Sequence, residues 1–125
     1  MRCDPQNIQS IFERFNNFFD SVLCSFRIEF SNSSLPIAEV VIECQDVDDN
    51  QVKILIRMAD VVGWSFVNFP KQSSDFVTEG FRVAIADGMF LVDFGNDPDV
   101  DLHDPTWTQA SAKWLIGKEL MIGET

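Results

Sequence analysis

Apolar residues in the first twenty positions return every third or fourth place. Ile8, Ile11, Phe12, Phe15, Phe18 and Phe19 fall on one side of a helical wheel, and Gln9, Ser10, Glu13, Arg14, Asn16 and Asn17 on the other. Asp4 is placed to cap such a helix, with Pro5 in its first turn. The spacing predicts an amphipathic helix running to about Asp20. From Val22 the period changes to two. In VLCSFRIEF, the residues Val22, Cys24, Phe26, Ile28 and Phe30 alternate with Leu23, Ser25, Arg27 and Glu29, as in a half-buried strand.

Two hairpins follow from pattern and pairing chemistry. AEVVIEC (38–44) and VKILIRM (52–58) flank the polar loop QDVDDNQ. Setting Cys44 opposite Val52 brings Ile42 to Ile54, Val40 to Ile56 and Ala38 to Met58, and the same register sets Glu43 against Lys53 and Glu39 against Arg57. GFRVAIA (80–86) and MFLVDFG (89–95) flank Asp87-Gly88, a dipeptide suited to a two-residue type I′ turn. That turn pairs Ala86 with Met89, Val83 with Val92 and Phe81 with Phe94, with Arg82 facing Asp93 on the solvent side. GWSFVNF (63–69) reads as a further strand, PKQSSD as a loop, and SAKWLIGKELMIG (111–123) as a last strand or strand pair bent at Gly117. The fold class expected is α+β: residues 1–125 form one domain, an N-terminal amphipathic helix on a mainly antiparallel, twisted sheet of six or seven strands.

The composition then narrows function. Twenty acidic residues against nine basic ones give a net charge of -11. Such a surface repels phosphate backbones and anionic lipid, so neither nucleic acid nor membrane is an expected partner, whereas a basic protein is. Cys3, Cys24 and Cys44 are odd in number and widely spaced, which fits neither a disulfide framework nor a zinc knuckle. Cys24 and Cys44 read as small buried hydrophobes in a reducing cytoplasm. No leader core or membrane-length apolar run is present.

With Glu39, Glu43 and Asp93 assigned to cross-strand pairs, two clusters of carboxylates remain. One is Asp46, Asp48 and Asp49. The other is Asp97, Asp99, Asp101 and Asp104 in GNDPDVDLHDPTW. Neither completes a calcium loop. Counting from Asp46, the turn position that needs glycine holds Gln51 and the closing carboxylate position holds Arg57; from Asp97 those positions hold Leu102 and Thr108. His103, the single histidine, has aspartates beside it but no nucleophile motif, and the glycines fit no phosphate loop. No catalytic residue, metal or cofactor is therefore assigned. Binding remains: a loop stiffened by Pro98 and Pro105, ringed by aspartates, with Trp107 beside it and Trp64 and Trp114 elsewhere as aromatic anchors.

The layout as a whole resembles a known class. An aromatic N-terminal helix leads into FFDSVLCSFRIEF, then VKILIRMADVVGWSF, the DGMFLVDFG hairpin and a final KWLIGKELMIG. This plan is similar to that of small acidic bacterial immunity proteins of polymorphic and contact-dependent toxin systems. Phe19-Asp20-Ser21 and Asp93-Phe94-Gly95 are the local echoes. The resemblance implies a cytoplasmic antitoxin, monomeric or weakly dimeric, that covers a toxin's active site or a nearby surface. Such families share no universal functional residue, so the candidate contacts stay those above: Asp46, Asp48, Asp49, Asp97, Asp99, Asp101, Asp104 and Trp107. The alternatives are a small-ligand or enzymatic domain with a pocket between helix and sheet, or an acidic accessory subunit of a phage or secretion system.

Overall fold

A computed structural model describes residues 1–125 except 33, 67–75, 78–79, 96–98 and 112. The PKQSSD loop, the end of the expected 63–69 strand and Asp97 lie outside the described residues. The elements are α1 (Ile8–Arg14), β1 (Ser21–Glu29), β2 (Ile37–Gln45), β3 (Gln51–Phe66), β4 (Phe76–Val77), β5 (Arg82–Ala86), β6 (Met89–Asp93), α2 (Trp107–Ala110) and β7 (Lys113–Glu124). The strands form one antiparallel sheet in the order β4-β1-β2-β3-β7-β6-β5, six full strands and a two-residue edge pairing. The α+β architecture is as expected.

The N-terminal helix is shorter than its apolar period. Asp4 closes the turn ahead of the helix and is not its cap. Its Oδ1 accepts the Gln6 and Asn7 N–H groups at 2.8 Å and Asn7 Oδ1 accepts the Asp4 N–H at 2.8 Å, whereas the N-cap of α1 is Asn7, which makes no side-chain cap bond. The chain then leaves the helix at Phe15, because Asn16, Asn17 and Phe18 all take positive φ. Asparagine tolerates that region well. The turn drives Phe18 into the core, fully buried against Phe12, Phe15 and Phe81, and leaves Phe19 exposed rather than on the buried face.

Both predicted hairpins form in the predicted registers, from Cys44 opposite Val52 to Ala38 opposite Met58, and from Ala86 opposite Met89 to Arg82 opposite Asp93. Asp87 and Gly88 both have positive φ, as a type I′ turn requires. Other strands change face along their length. A bulge at Cys24 shifts β1, so Leu23 is buried while Val22 and Cys24 are exposed, the reverse of simple alternation. The expected strand 52–58 and the described part of 63–69 are one strand, β3, with an irregularity at Val62 and positive φ at Asp60. Opposite it, β7 is also continuous. Its buried residues are Lys113, Leu115 and Gly117, then Leu120 and Ile122, so it switches face just after Gly117. Gly117 lies so close to Met58 that an added Cβ would sit 2.6 Å from its Cγ.

The sheet is strongly curled. Val77 at one edge and Arg82 at the other are joined by four residues, a reach of at most about 18 Å. A flat seven-stranded sheet would hold those edges roughly 29 Å apart. The concave side holds the main core, where Phe26 stacks on Phe66 at 4.0 Å and Phe66, Phe94 and Phe81 continue the aromatic chain to Phe12 under α1.

Candidate functional site

The first acidic cluster is a folding device. Asp46 accepts the backbone N–H groups of Asp48 and Asn50, each at 2.9 Å, and Asp49 takes positive φ to close the turn. The Asn50 N–H is the largest cause that holds the Asp46 carboxyl below its ordinary range. This loop also docks on the end of α1: the Val47 N–H donates to the Arg14 carbonyl at 3.2 Å, and Asn16 Nδ2 donates to the Asp46 carbonyl at 2.9 Å. Asp48 and Asp49 stand exposed on it.

In the second cluster the described residues Asp99, Asp101, His103 and Asp104 are exposed, whereas Val100, Leu102 and Trp107 are buried. The segment alternates acid outward and apolar inward. Its inward residues form a second, smaller core with Leu91, packed on Ala84, Met89, Trp114 and Ile116 on the convex side of the sheet. Asp101 Oδ1 accepts the His103 N–H, and Asp104 Oδ1 accepts both the N–H and the hydroxyl of Thr106, each at 2.9 Å. The Thr106 N–H is the main reason the Asp104 carboxyl is held low.

Two expectations are corrected here. Trp107 is not displayed beside the loop. It is 6% exposed, edge-on to Trp114 at 5.7 Å, because it fills the space beneath the loop. Asp93 is not on the solvent face. It does face Arg82, at 2.7 Å, on the side away from α1, but the acidic segment covers that side. Asp93 is wholly buried and accepts three charge-assisted bonds, from Arg82 Nη2, from Ser111 Oγ at 2.6 Å and from the Gly95 N–H at 2.9 Å. The same guanidinium reaches the Val100 carbonyl at 2.7 Å, so this group clasps the acidic segment to the hairpin. Glu39 and Glu43 do lie outward. Glu39 pairs with Arg27 and, at 3.9 Å, with Arg57, and Glu43 accepts Gln51 Nε2 at 3.2 Å.

The structure does not bring the two acidic clusters together. The Asp46 loop precedes Gln51, and the 94–112 segment leads into Lys113, which pairs with Phe66 at the far end of β3. Those ends are separated by roughly 40–50 Å along the strand. At that far end of β3, on the concave face where Trp64 lies opposite Leu115 and not on the convex face that carries the acidic segment, is an exposed aromatic pair. Phe30 is 73% exposed and meets Trp64, 39% exposed, edge-on at 5.9 Å. Leu35 and Val62 are exposed nearby in the chain, where the Val61 N–H bonds to the Pro36 carbonyl.

Among the described residues no group of three or more His, Cys, Asp or Glu is placed to hold a metal ion, and no helix is long and apolar enough to cross a membrane. Compared with protein-family models, curated proteins and solved structures, the chain matches none.

Proposed function

We propose that the chain is a binding protein that docks a basic protein partner at the end of the sheet formed by the acidic segment and the Phe30–Trp64 pair, and that it acts as a cytoplasmic immunity protein neutralising a toxin domain. One observation carries the reading. Asp99, Asp101 and Asp104 are held outward on a segment whose inward residues are locked into a core, so a partner meets preorganised carboxylates. The anchoring role once given to Trp107 passes to Phe30 and Trp64, since exposed aromatic pairs carry much of the energy of tight interfaces. Asp48 and Asp49, at the opposite end, take part in long-range attraction rather than in the contact itself. The alternative of a small-ligand site is supported by a cleft of about 380 Å³ between α1 and β7, with Ile11, Phe15 and Ile122 in its walls and Arg14 and Glu124 beside them.

The test replaces Asp99, Asp101 and Asp104 together with asparagine. Asparagine keeps the Oδ1 acceptor that builds each turn, so the fold persists and only charge is lost. Association with a toxin encoded beside this protein is expected to slow markedly at low salt and to lose most of its salt dependence. Association as fast as that of the parent at low salt would remove the acidic segment from the interface.

A further inference from the structure

The convex side of the sheet is only half covered. The acidic segment lies over β5, β6 and the first half of β7, whereas no described residues pack over β1, β2, the first half of β3 and the second half of β7. The charges on this open half balance. Its bases are Arg27, Lys53 and Arg57 from the strands, with Arg2 bonded to Glu119 at 2.9 Å. Its acids are Glu29, Glu39, Glu43 and Glu119. Arg27 pairs with both Glu29 and Glu39, and the Glu39 carboxylate also reaches Arg57. With the Met1 amine and the Glu124 carboxylate, which both border the hollow beside Met121, five cations stand against five anions, so this face is neutral and the net charge of -11 lies elsewhere on the molecule.

An apolar stripe runs between these ion pairs. Val41 lies opposite Leu55, and Leu55 shares a hollow of about 180 Å³ with Met121, which is 40% exposed. On the other side of Leu55 is a larger hollow, about 450 Å³, bounded by Ser25, Arg27, Glu39 and Val41. One face thus presents a flexible knob and an empty socket side by side, the arrangement a two-fold axis makes self-complementary.

We propose that this face joins two copies of the chain about a two-fold axis, with Met121 of each seated in the hollow beside Leu55 of the other. Charge selects this occupant. Two molecules of this net charge repel each other least in the orientation that opposes their neutral faces. A basic partner finds these carboxylates already matched by cations. The exposed sheet is about four strands by nine residues, on the order of 500 Å², which is the low end of specific interfaces. The dimer is therefore a weak one.

The dimer responds to salt in the opposite sense to capture of a basic partner. Screening relieves the repulsion between two acidic copies and tightens the dimer, whereas it weakens attraction to a cation-rich surface. Sedimentation equilibrium of the chain at rising concentration, in low salt and in about 0.5 M NaCl, is expected to show a reversible dimer favoured by salt. Met121→Glu and Val41→Lys, both at solvent-facing positions, are each expected to raise the dissociation constant at least about tenfold with an unchanged circular dichroism spectrum. A monomer at every concentration in both salts would overturn the proposal, as would a dimer indifferent to both substitutions. Neither result bears on capture through the acidic segment at the other half of the sheet.

Discussion

Asp93 shows how much one side chain can do once it leaves solvent. Its carboxylate is the single point where the β5–β6 hairpin, Ser111 and, through Arg82, the Val100 carbonyl converge. Removing a buried, paired charge leaves its partner uncompensated, a loss of about 3–5 kcal/mol. Asp93→Ala is therefore expected to lower thermal stability by that order and to loosen the acidic segment, read as increased solvent quenching of Trp107 and Trp114 fluorescence. Unchanged fluorescence would show that the segment is held by apolar packing alone. The thiols give a second expectation. Burial pushes Cys3 and Cys44 up to about 11, while Cys24 sits exposed at the β1 bulge. At about pH 8 a thiol reagent is expected to modify Cys24 promptly and the other two only on unfolding. For the buried pair, folded pKa values lie above the ordinary 9.0, so their contribution to stability is complete below that pH and is lost as pH climbs toward 11. Asp46 and Asp104 act in the opposite sense. Their lowered values contribute stability above the ordinary 3.8 that disappears as pH falls below it.

Among the elements, the hairpins were legible because their evidence is local and redundant. In β2–β3 the apolar face and the charge pairs specify the same register, and Asp87-Gly88 names its own turn. The face changes were not legible. A bulge adds one residue with no compositional mark, so the shift at Cys24 and the irregularity at Val62 leave the sequence looking like uninterrupted alternation. The helix boundary was missed for a related reason: Phe18 and Phe19 continue the helical period, and the Asn16-Asn17 turn that ends the helix appears there only as polar residues. In the candidate site, the alternation of Asp99 to His103 was visible, but its aspartates and the prolines at 98 and 105 made it read as solvated loop, which hid the burial of Trp107. Gly117 carries a prediction at this scale. Met58 is fully buried and has no room to retreat, so Gly117→Ala is expected to cost about 1–3 kcal/mol in denaturant unfolding, with little change in the slope. A neutral result would show that the strand can bend there without close approach to Met58.

At the scale of the molecule, the β3–β7 ladder, from Ile54 opposite Glu124 to Phe66 opposite Lys113, is the seam on which the two halves of the chain meet. In the sheet, β1 and β2 stand on one side of it, and β6 and β5 on the other. Every other full pairing joins strands adjacent in the sequence or lies within one half. The covalent link between β3 and β5 is thus not what aligns the halves. A chain severed between residues 70 and 71 is expected to behave as a split protein: the two fragments, each largely unstructured alone, recombine on mixing and recover the sheet spectrum as a stoichiometric complex. Fragment complementation of that kind makes the ladder a reporter, since any partner that holds the halves together would stabilise the reassembled pair.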